Sequence, residues 1–289
     1  MVYLSVLMSA RNAEKTISKA VKSSLAAMPR DSELLVLLDN SQDASLSLLE
    51  KISDSRMRLI VSNERLGINK GRNLLLREAA GEYVAIMDAD DICLPWRFHV
   101  SNSLISRFDA VFGTAIVFGS RLRPFPILPQ LPLSLSGETM KLALSLSNPL
   151  VHSTAMIRRS SIIDAGGYSD AKSEDYELWI RMQNLGYKLF RSWVPLICYR
   201  FHSAQASQEE DFMIQVQSDP KLIHSITQLR DEVSFSVAGR GGWNSSVEAS
   251  VRRRAYTISP LLRLEHKGLP DFLKRWKKRA SKPIASKLP

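Results

Sequence analysis

Short apolar runs of strand character alternate with helical spacings through the first hundred residues. Tyr3 to Met8 has the continuous apolar pattern of a buried strand. Asn12 is placed to cap a helix whose Ile17, Val21, Leu25 and Met28 fall on one face, and Pro29 marks its exit. Leu34 to Leu38 is a second apolar run, ending at Asp39. Leu46 to Ile52 predicts a second helix and Met57 to Val61 a third strand. Lys70 to Ala80 predicts a third helix, with Gly81 placed to terminate it. Tyr83 to Met87 is a fourth strand that runs directly into Asp88-Ala89-Asp90-Asp91.

This alternation predicts an α/β fold, a mostly parallel central sheet flanked by helices. Such sheets bind ligands at the carboxyl ends of their strands. Asp39 and the Asp88–Asp91 cluster both sit at predicted strand ends. The second half is less regular. Ala110 to Phe118 and Ser153 to Arg158 read as strands, with a proline-bearing loop from Arg123 to Gly137 between them. Glu174 to Leu185 reads as a helix with Trp179, Met182 and Leu185 on one side and Gly186 after it. Tyr187 to Arg191 and Val194 to Tyr199 read as two short strands. Beyond Ser207 the pattern is helical and polar, and Gly239-Arg240-Gly241-Gly242 marks a linker or turn.

Composition narrows the setting. The chain has 289 residues, 45% of them hydrophobic, enough for a large core without disulfides. Its two cysteines, Cys93 and Cys198, form no metal-type pair. There is no apolar stretch of about 18 residues, so no membrane span is expected. The first residues lack a basic leader, which predicts a cytoplasmic protein. The net charge of +10 belongs to the tail: from Arg252 onward twelve Lys and Arg face only Glu265 and Asp271. The remainder is formally neutral.

Three carboxylates within four residues after a strand suit magnesium or manganese, which join one or two carboxylates to substrate phosphates. The same residues suit an acidic turn that caps the helix after Pro95. Glu174 and Asp175 open a helix, where the macrodipole favours ionised acids whether or not they work. His152 and His202 are candidates for acceptor contact or metal binding, with a structural role as the alternative for each. Arg72 is placed to meet a phosphate or simply to sit exposed on its helix.

Taken in order, these segments resemble the family 2 glycosyltransferases, which have the GT-A fold. The resemblance runs from Leu4 to Ser207, roughly seven tenths of the chain. It rests on the first strand and turn Leu4 to Asn12 and on the acidic turn Leu38 to Asp43. Gly67-Ile68-Asn69-Lys70-Gly71-Arg72-Asn73 and Gly81-Glu82-Tyr83 with Asp88-Ala89-Asp90-Asp91 follow. Then come His152, Gly166-Gly167-Tyr168, Glu174 to Trp179 and Tyr199-Arg200-Phe201-His202. The resemblance implies a metal-dependent, inverting enzyme that moves a sugar from a nucleoside-diphosphate sugar to a hydroxyl of a glycan or lipid-linked acceptor. Inversion comes from the resemblance and not from any spacing.

At matching positions the resemblance implies roles. Asp39 recognises the nucleotide base, with Ser9 and Arg11 on the same donor side. Arg72 lies near the diphosphate. Asp88 helps hold ribose and metal, and Asp90 is the direct ligand of a divalent cation, Mn2+ or Mg2+. His202 completes the metal site or touches the diphosphate. Asp175 is the general base, with its neighbour Glu174 as the alternative. His152 and Trp179 belong to the acceptor side. Three departures touch the donor pocket: Leu38 replaces the first acid of the second-strand pair, Arg11 an aromatic residue and Ser9 a proline. The implied organisation is a catalytic domain over 1–207, with a nucleotide-binding half (1–100) and an acceptor-binding half (101–207). A helical extension over 208–289 carries the basic tail.

Other readings predict different features. A sugar-nucleotide nucleotidyltransferase carries a glycine-rich basic loop after the first strand, and Ser9 to Lys15 holds no glycine. A non-catalytic binding protein has no need of both Asp90 and Asp175. The basic tail comes with no recognition motif, so no nucleic-acid partner is expected. Within it Leu269, Phe272, Leu273, Trp276 and Ala280 recur at helical spacing among Lys274, Arg275, Lys277, Lys278 and Arg279. Such a helix over 261–287 suits an anionic membrane surface, at the inner face of the membrane, or packs its stripe on the main domain.

Overall fold

The computed structural model describes residues 2–119, 134–146, 148–201 and 218–238. His202, the Gly239–Gly242 turn, the amphipathic tail and most of the proline-bearing loop lie outside the described residues.

Leu34 to Leu38 carry no polar break because β2 (Ser32–Asp39) is buried on both faces. β1 (Leu4–Ala10) runs parallel beside it, Leu4 opposite Ser32 and Ala10 opposite Leu38. β3 (Met57–Ser62) flanks β2, and β4 (Tyr83–Ile86) flanks β1, both parallel. The four carboxyl ends therefore share one edge.

The second half departs from the parallel expectation and makes the sheet mixed. Next to β4 lies β8 (Met156–Arg158), antiparallel, then β6 (Ala110–Gly119), antiparallel to β8. β9 (Leu189–Phe201) is parallel to β6, and β5 (Ile92–Cys93) closes the edge antiparallel to β9. β7 (Leu135–Ser136) pairs antiparallel with β9 elsewhere along its length. The reversal has a local cause. β8 is entered from a 3-10 turn, His152–Thr154, at the level where β4 ends, since the Ile86 N–H donates to the Ala155 carbonyl. The chain thus comes down from the edge that β4 climbs to.

Strand periodicity sorts the core into two layers. Leu7, Leu35, Leu37, Val84 and Ile86 face one side, where they join Leu75 and Leu76 of α3 (Ile68–Glu78), Met140 of α5 (Gly137–Leu146) and Trp179 of α7 (Glu174–Asn184). Leu222 and Leu229 of α8 (Pro220–Ala238) enter the same layer. Val6, Met8, Leu34, Val36 and Leu38 face the other side, with Ile17, Val21 and Leu25 of α1 (Ile17–Ala27) and Phe98 and Ile105 of α4 (Arg97–Ile105). Leu38, where the resemblance leads one to expect an acid, is thus a core residue. Two short helices, α2 (Ser45–Glu50) and α6 (Arg159–Asp164), add Leu49 and Ile162.

Four local readings are corrected. Asn12 does not cap α1: it has a positive φ of 49°, its Oδ1 accepts from the Gln42 N–H, and Thr16 holds the cap position. Gly81 does not end α3, which stops three residues earlier, at Glu78; a Cβ there would lie 2.6 Å from the Ser5 backbone nitrogen. Its lack of a side chain lets the approach to β4 press against β1. The two strands expected between Tyr187 and Tyr199 are one, the register shift opposite Phe112–Ala115 absorbing the Trp193-Val194-Pro195 segment. Leu185 is exposed, because α7 ends at Asn184 and Gly186, with φ 86°, turns the chain in a Schellman motif.

Candidate active site

The acidic turn follows β4 at the carboxyl edge of the sheet. Its three acids have different surroundings. Asp91 is buried, and both its oxygens are engaged: Oδ2 accepts from Ser153 Oγ at 2.7 Å and Oδ1 from the Arg200 N–H at 2.8 Å. It ties the turn to the 3-10 turn and to the end of β9. Burial, then Asp88, push its carboxyl up to about 8. Asp88 keeps 36% of its side-chain surface open, and Asp90 is half-buried, its backbone carbonyl accepting from Arg200 Nε at 2.9 Å. Desolvation among its neighbours lifts the Asp88 carboxyl to about 6; Arg72 opposes that shift, and Asp90 and Asp175 add to it. Beneath the turn Arg97 is wholly buried, donating to the Ile86 carbonyl at 2.5 Å and to Met87 Sδ at 3.0 Å.

Opposite stands the start of α7. Glu174 pairs with Arg72, which also lies 3.8 Å from Asp88. Burial opposes the Arg72 charge, but Glu174 and then Asp88 outweigh it and hold its pKa above the ordinary value. Burial also raises the Glu174 carboxyl, against the pull of Arg72. One guanidinium on α3 thereby bridges the acidic turn and the acid pair. Asp175 is oriented by three donors: Ser173 Oγ (3.2 Å) and the Tyr176 N–H (2.7 Å) on Oδ1, and Asn148 Nδ2 (3.0 Å) on Oδ2.

Other expected residues fall nearby or elsewhere. Asp39 ends β2, and its two oxygens accept from the N–H groups of Leu66 (2.6 Å) and Gly67 (3.0 Å), fixing the start of α3. Ser9 sits near the end of β1 beside Gly71, and Arg11 is exposed just past that strand. His152 is buried with Nε2 2.9 Å from the Tyr168 hydroxyl. Trp179 is fully buried, edge-on to Phe112 at 4.8 Å and 6.0 Å from the His152 ring, in the core behind the cleft. Asn148, Ser153 and Arg97 carried no sequence signal, since each acts through a partner distant in the chain. Among the described residues no three His, Cys, Asp or Glu side chains stand close enough to hold an ion unaided. Asp88 and Asp90 fit the other arrangement, in which carboxylates supply part of the shell and phosphate oxygens the rest.

An acidic turn and an acid-led helix thus face each other at the carboxyl edge of the sheet, where open α/β sheets bind ligands. The chain matches the family model Glycosyl transferase family 2 over residues 5–166, and it belongs to that family. It is a glycosyltransferase with the GT-A fold. It is 30% identical to an uncharacterized glycosyltransferase of Haemophilus influenzae, over 71% of this chain and 67% of that one. It is 30% identical to the amylovoran biosynthesis glycosyltransferase AmsE of Erwinia amylovora, over 63% and 70%. Identity is 25%, over 72% and 80%, with the Escherichia coli UDP-Glc:alpha-D-GlcNAc-diphosphoundecaprenol beta-1,3-glucosyltransferase WfaP. Two solved structures share the fold at 17% identity. They are S. aureus TarS with UDP-GlcNAc (TM-score 0.59; 96% of this chain, 79% of that) and the mannosyltransferase PcManGT of Pyrobaculum calidifontis with GDP-Man and Mn2+ (0.58; 96% and 85%).

Proposed function

We propose that this enzyme is a metal-dependent, inverting transferase that moves a sugar from a nucleoside-diphosphate sugar to a hydroxyl of a glycan or lipid-linked acceptor. The observation that carries the reading is the Arg72 bridge, which gathers Asp88 of the acidic turn and Glu174 beside Asp175 around one cleft. Relatives named for amylovoran biosynthesis and for a diphosphoundecaprenol-linked substrate support the acceptor class. The neighbour with GDP-Man and Mn2+ supports the donor class and the cation.

In this reading Asp90 and Asp88 hold a divalent cation, which supplies Lewis-acid neutralisation of the charge on the departing diphosphate. Arg72 meets the same diphosphate through its N–H edge. Asp175 accepts the acceptor proton through Oδ2, whose hydrogen bond from Asn148 leaves lone-pair capacity. Attack from the face opposite the leaving group inverts the anomeric centre. Asp39, Ser9 and Arg11 belong to the donor side, and His202 completes the metal site or touches the diphosphate. Residues 1–207 form the catalytic unit in this reading, and 208–289 extend it. The first described helix of that extension packs on α5 and α7, Arg230 Nε reaching the Ser145 carbonyl at 3.0 Å. Incubating the protein with UDP- and GDP-sugars, with and without Mn2+, tests the proposal. We expect metal-dependent release of the nucleoside diphosphate; none from any sugar nucleotide would refute it.

The tail extends the proposal to the membrane. No helix among the described residues is long and apolar enough to cross one. The stripe Leu269, Phe272, Leu273, Trp276 and Ala280, flanked by five basic residues, suits the interfacial plane and brings the cleft to a lipid-linked acceptor. Each Lys or Arg near an anionic surface contributes about 1 kcal/mol. The full chain is expected to sediment with anionic liposomes at low salt and a chain ending at Ser259 is not. Equal behaviour of the two would assign the stripe to packing on the domain.

A further inference from the structure

Tyr168 follows two glycines of positive φ, Gly166 (91°) and Gly167 (67°), and is fixed at its backbone and its hydroxyl. Asn73 Nδ2 donates to the Tyr168 carbonyl at 2.7 Å, and the Tyr168 N–H donates to Asn73 Oδ1 at 2.9 Å. A Cβ on Gly167 would stand 2.6 Å from that same Oδ1, so the clamp requires glycine there. The hydroxyl lies 2.9 Å from His152 Nε2, while His152 Nδ1 finds no hydrogen-bond partner among the described residues. The one hydrogen bond of the imidazole among those residues is therefore spent on the phenol. Burial, then the charge of Arg72, hold the imidazole neutral, its pKa well below the usual range. It tethers the ring without adding a second positive charge beside the arginine.

The face of the ring is used as well. The Arg72 guanidinium carbon lies over it, 5.5 Å from the centroid. A contact at this distance is in the cation–π range. The guanidinium nitrogens meet two acids: Nη1 pairs with Glu174, and Nη2 lies 3.8 Å from Asp88. Arg72 and Asn73 are neighbours on α3, so one turn of helix both clamps the ring and lays the cation on it.

We infer that Tyr168 is a positioning residue: its ring, locked by Asn73 and His152, holds the Arg72 guanidinium in place to meet the donor diphosphate. The inference rests on the diphosphate role of Arg72 given above. It also moves His152 from acceptor contact to the support behind the donor site.

Calorimetric titration of UDP and of GDP, each with Mn2+, into full-length variants tests this. Tyr168→Phe keeps the ring but loses the tether to His152, so it is expected to weaken the tighter nucleotide by about threefold, whereas Tyr168→Leu loses about tenfold. In an Arg72→Met background Tyr168→Leu is expected to add less than about twofold, because its effect runs through the arginine. His152→Leu, which frees the hydroxyl but keeps the ring, serves if the leucine variant at 168 does not fold; it is expected to weaken binding only where Arg72 is present. The inference is overturned if Tyr168→Leu leaves affinity intact, or if either change costs the same factor in both backgrounds, as a merely structural role would. Unchanged affinity in Arg72→Met alone would instead overturn the diphosphate role of Arg72, and this inference with it.

Discussion

Asp90→Asn is expected to abolish metal-dependent donor binding and leave the fold intact. Asn keeps the shape of the side chain and removes the charge that a hard divalent cation requires of an oxygen ligand. Asp90 is half-buried, and the turn has a separate anchor in its neighbour Asp91. Asp91 supplies that anchor through Ser153 and the Arg200 N–H, and Arg97 holds the strand end beneath. Changing an outer partner of a metal ligand typically costs about 10–100-fold in affinity, so losing a direct ligand should exceed that. The measurement is donor titration with and without manganese, beside a melting curve. Unchanged metal-dependent affinity at an unchanged melting temperature would remove Asp90 from the site.

The contrast between Asp90 and Asp91 shows what the sequence could and could not say. Strand periodicity and the apolar runs located β1 to β4, and with them the edge where Asp39 and Asp88 emerge. Those signals are local, a few residues of alternating or continuous burial. The division of labour inside Asp88–Asp91 is not local. It depends on Ser153 and Arg200, which lie 62 and 109 residues beyond Asp91 and arrive through β8 and β9. The direction of β8 is likewise set by where the chain re-enters the sheet and not by its own pattern. Asn12 and Gly81 misled for a related reason: each has the residue type of a helix terminus, but tertiary contacts with Gln42 and with β1 decide its conformation. His152 and Trp179 read as acceptor-side candidates by type and order, and the sequence did not show that both are buried, His152 against Tyr168 and Trp179 against Phe112.

Asp175→Asn is expected to lower kcat by about 10²–10⁴-fold, the usual range for loss of a general base, while sparing donor affinity. A base acts on the acceptor hydroxyl as the bond forms, so its removal acts in the transition state and appears mainly in kcat. The geometry separates it from its neighbour. Glu174 is engaged by Arg72, so Glu174→Gln weakens the charge pair that holds the guanidinium. Its effect should therefore fall on the donor side, in the KM for the sugar nucleotide. Asp175 has Ser173, Tyr176 and Asn148 orienting its carboxylate and no arginine bound to it among the described contacts, which suits a group that must take up a proton. Steady-state kinetics of the two variants, with donor and acceptor varied separately, distinguish the assignments. An active Asp175→Asn beside an inactive Glu174→Gln would make Glu174 the base and leave Asp175 the residue that orients the start of the helix.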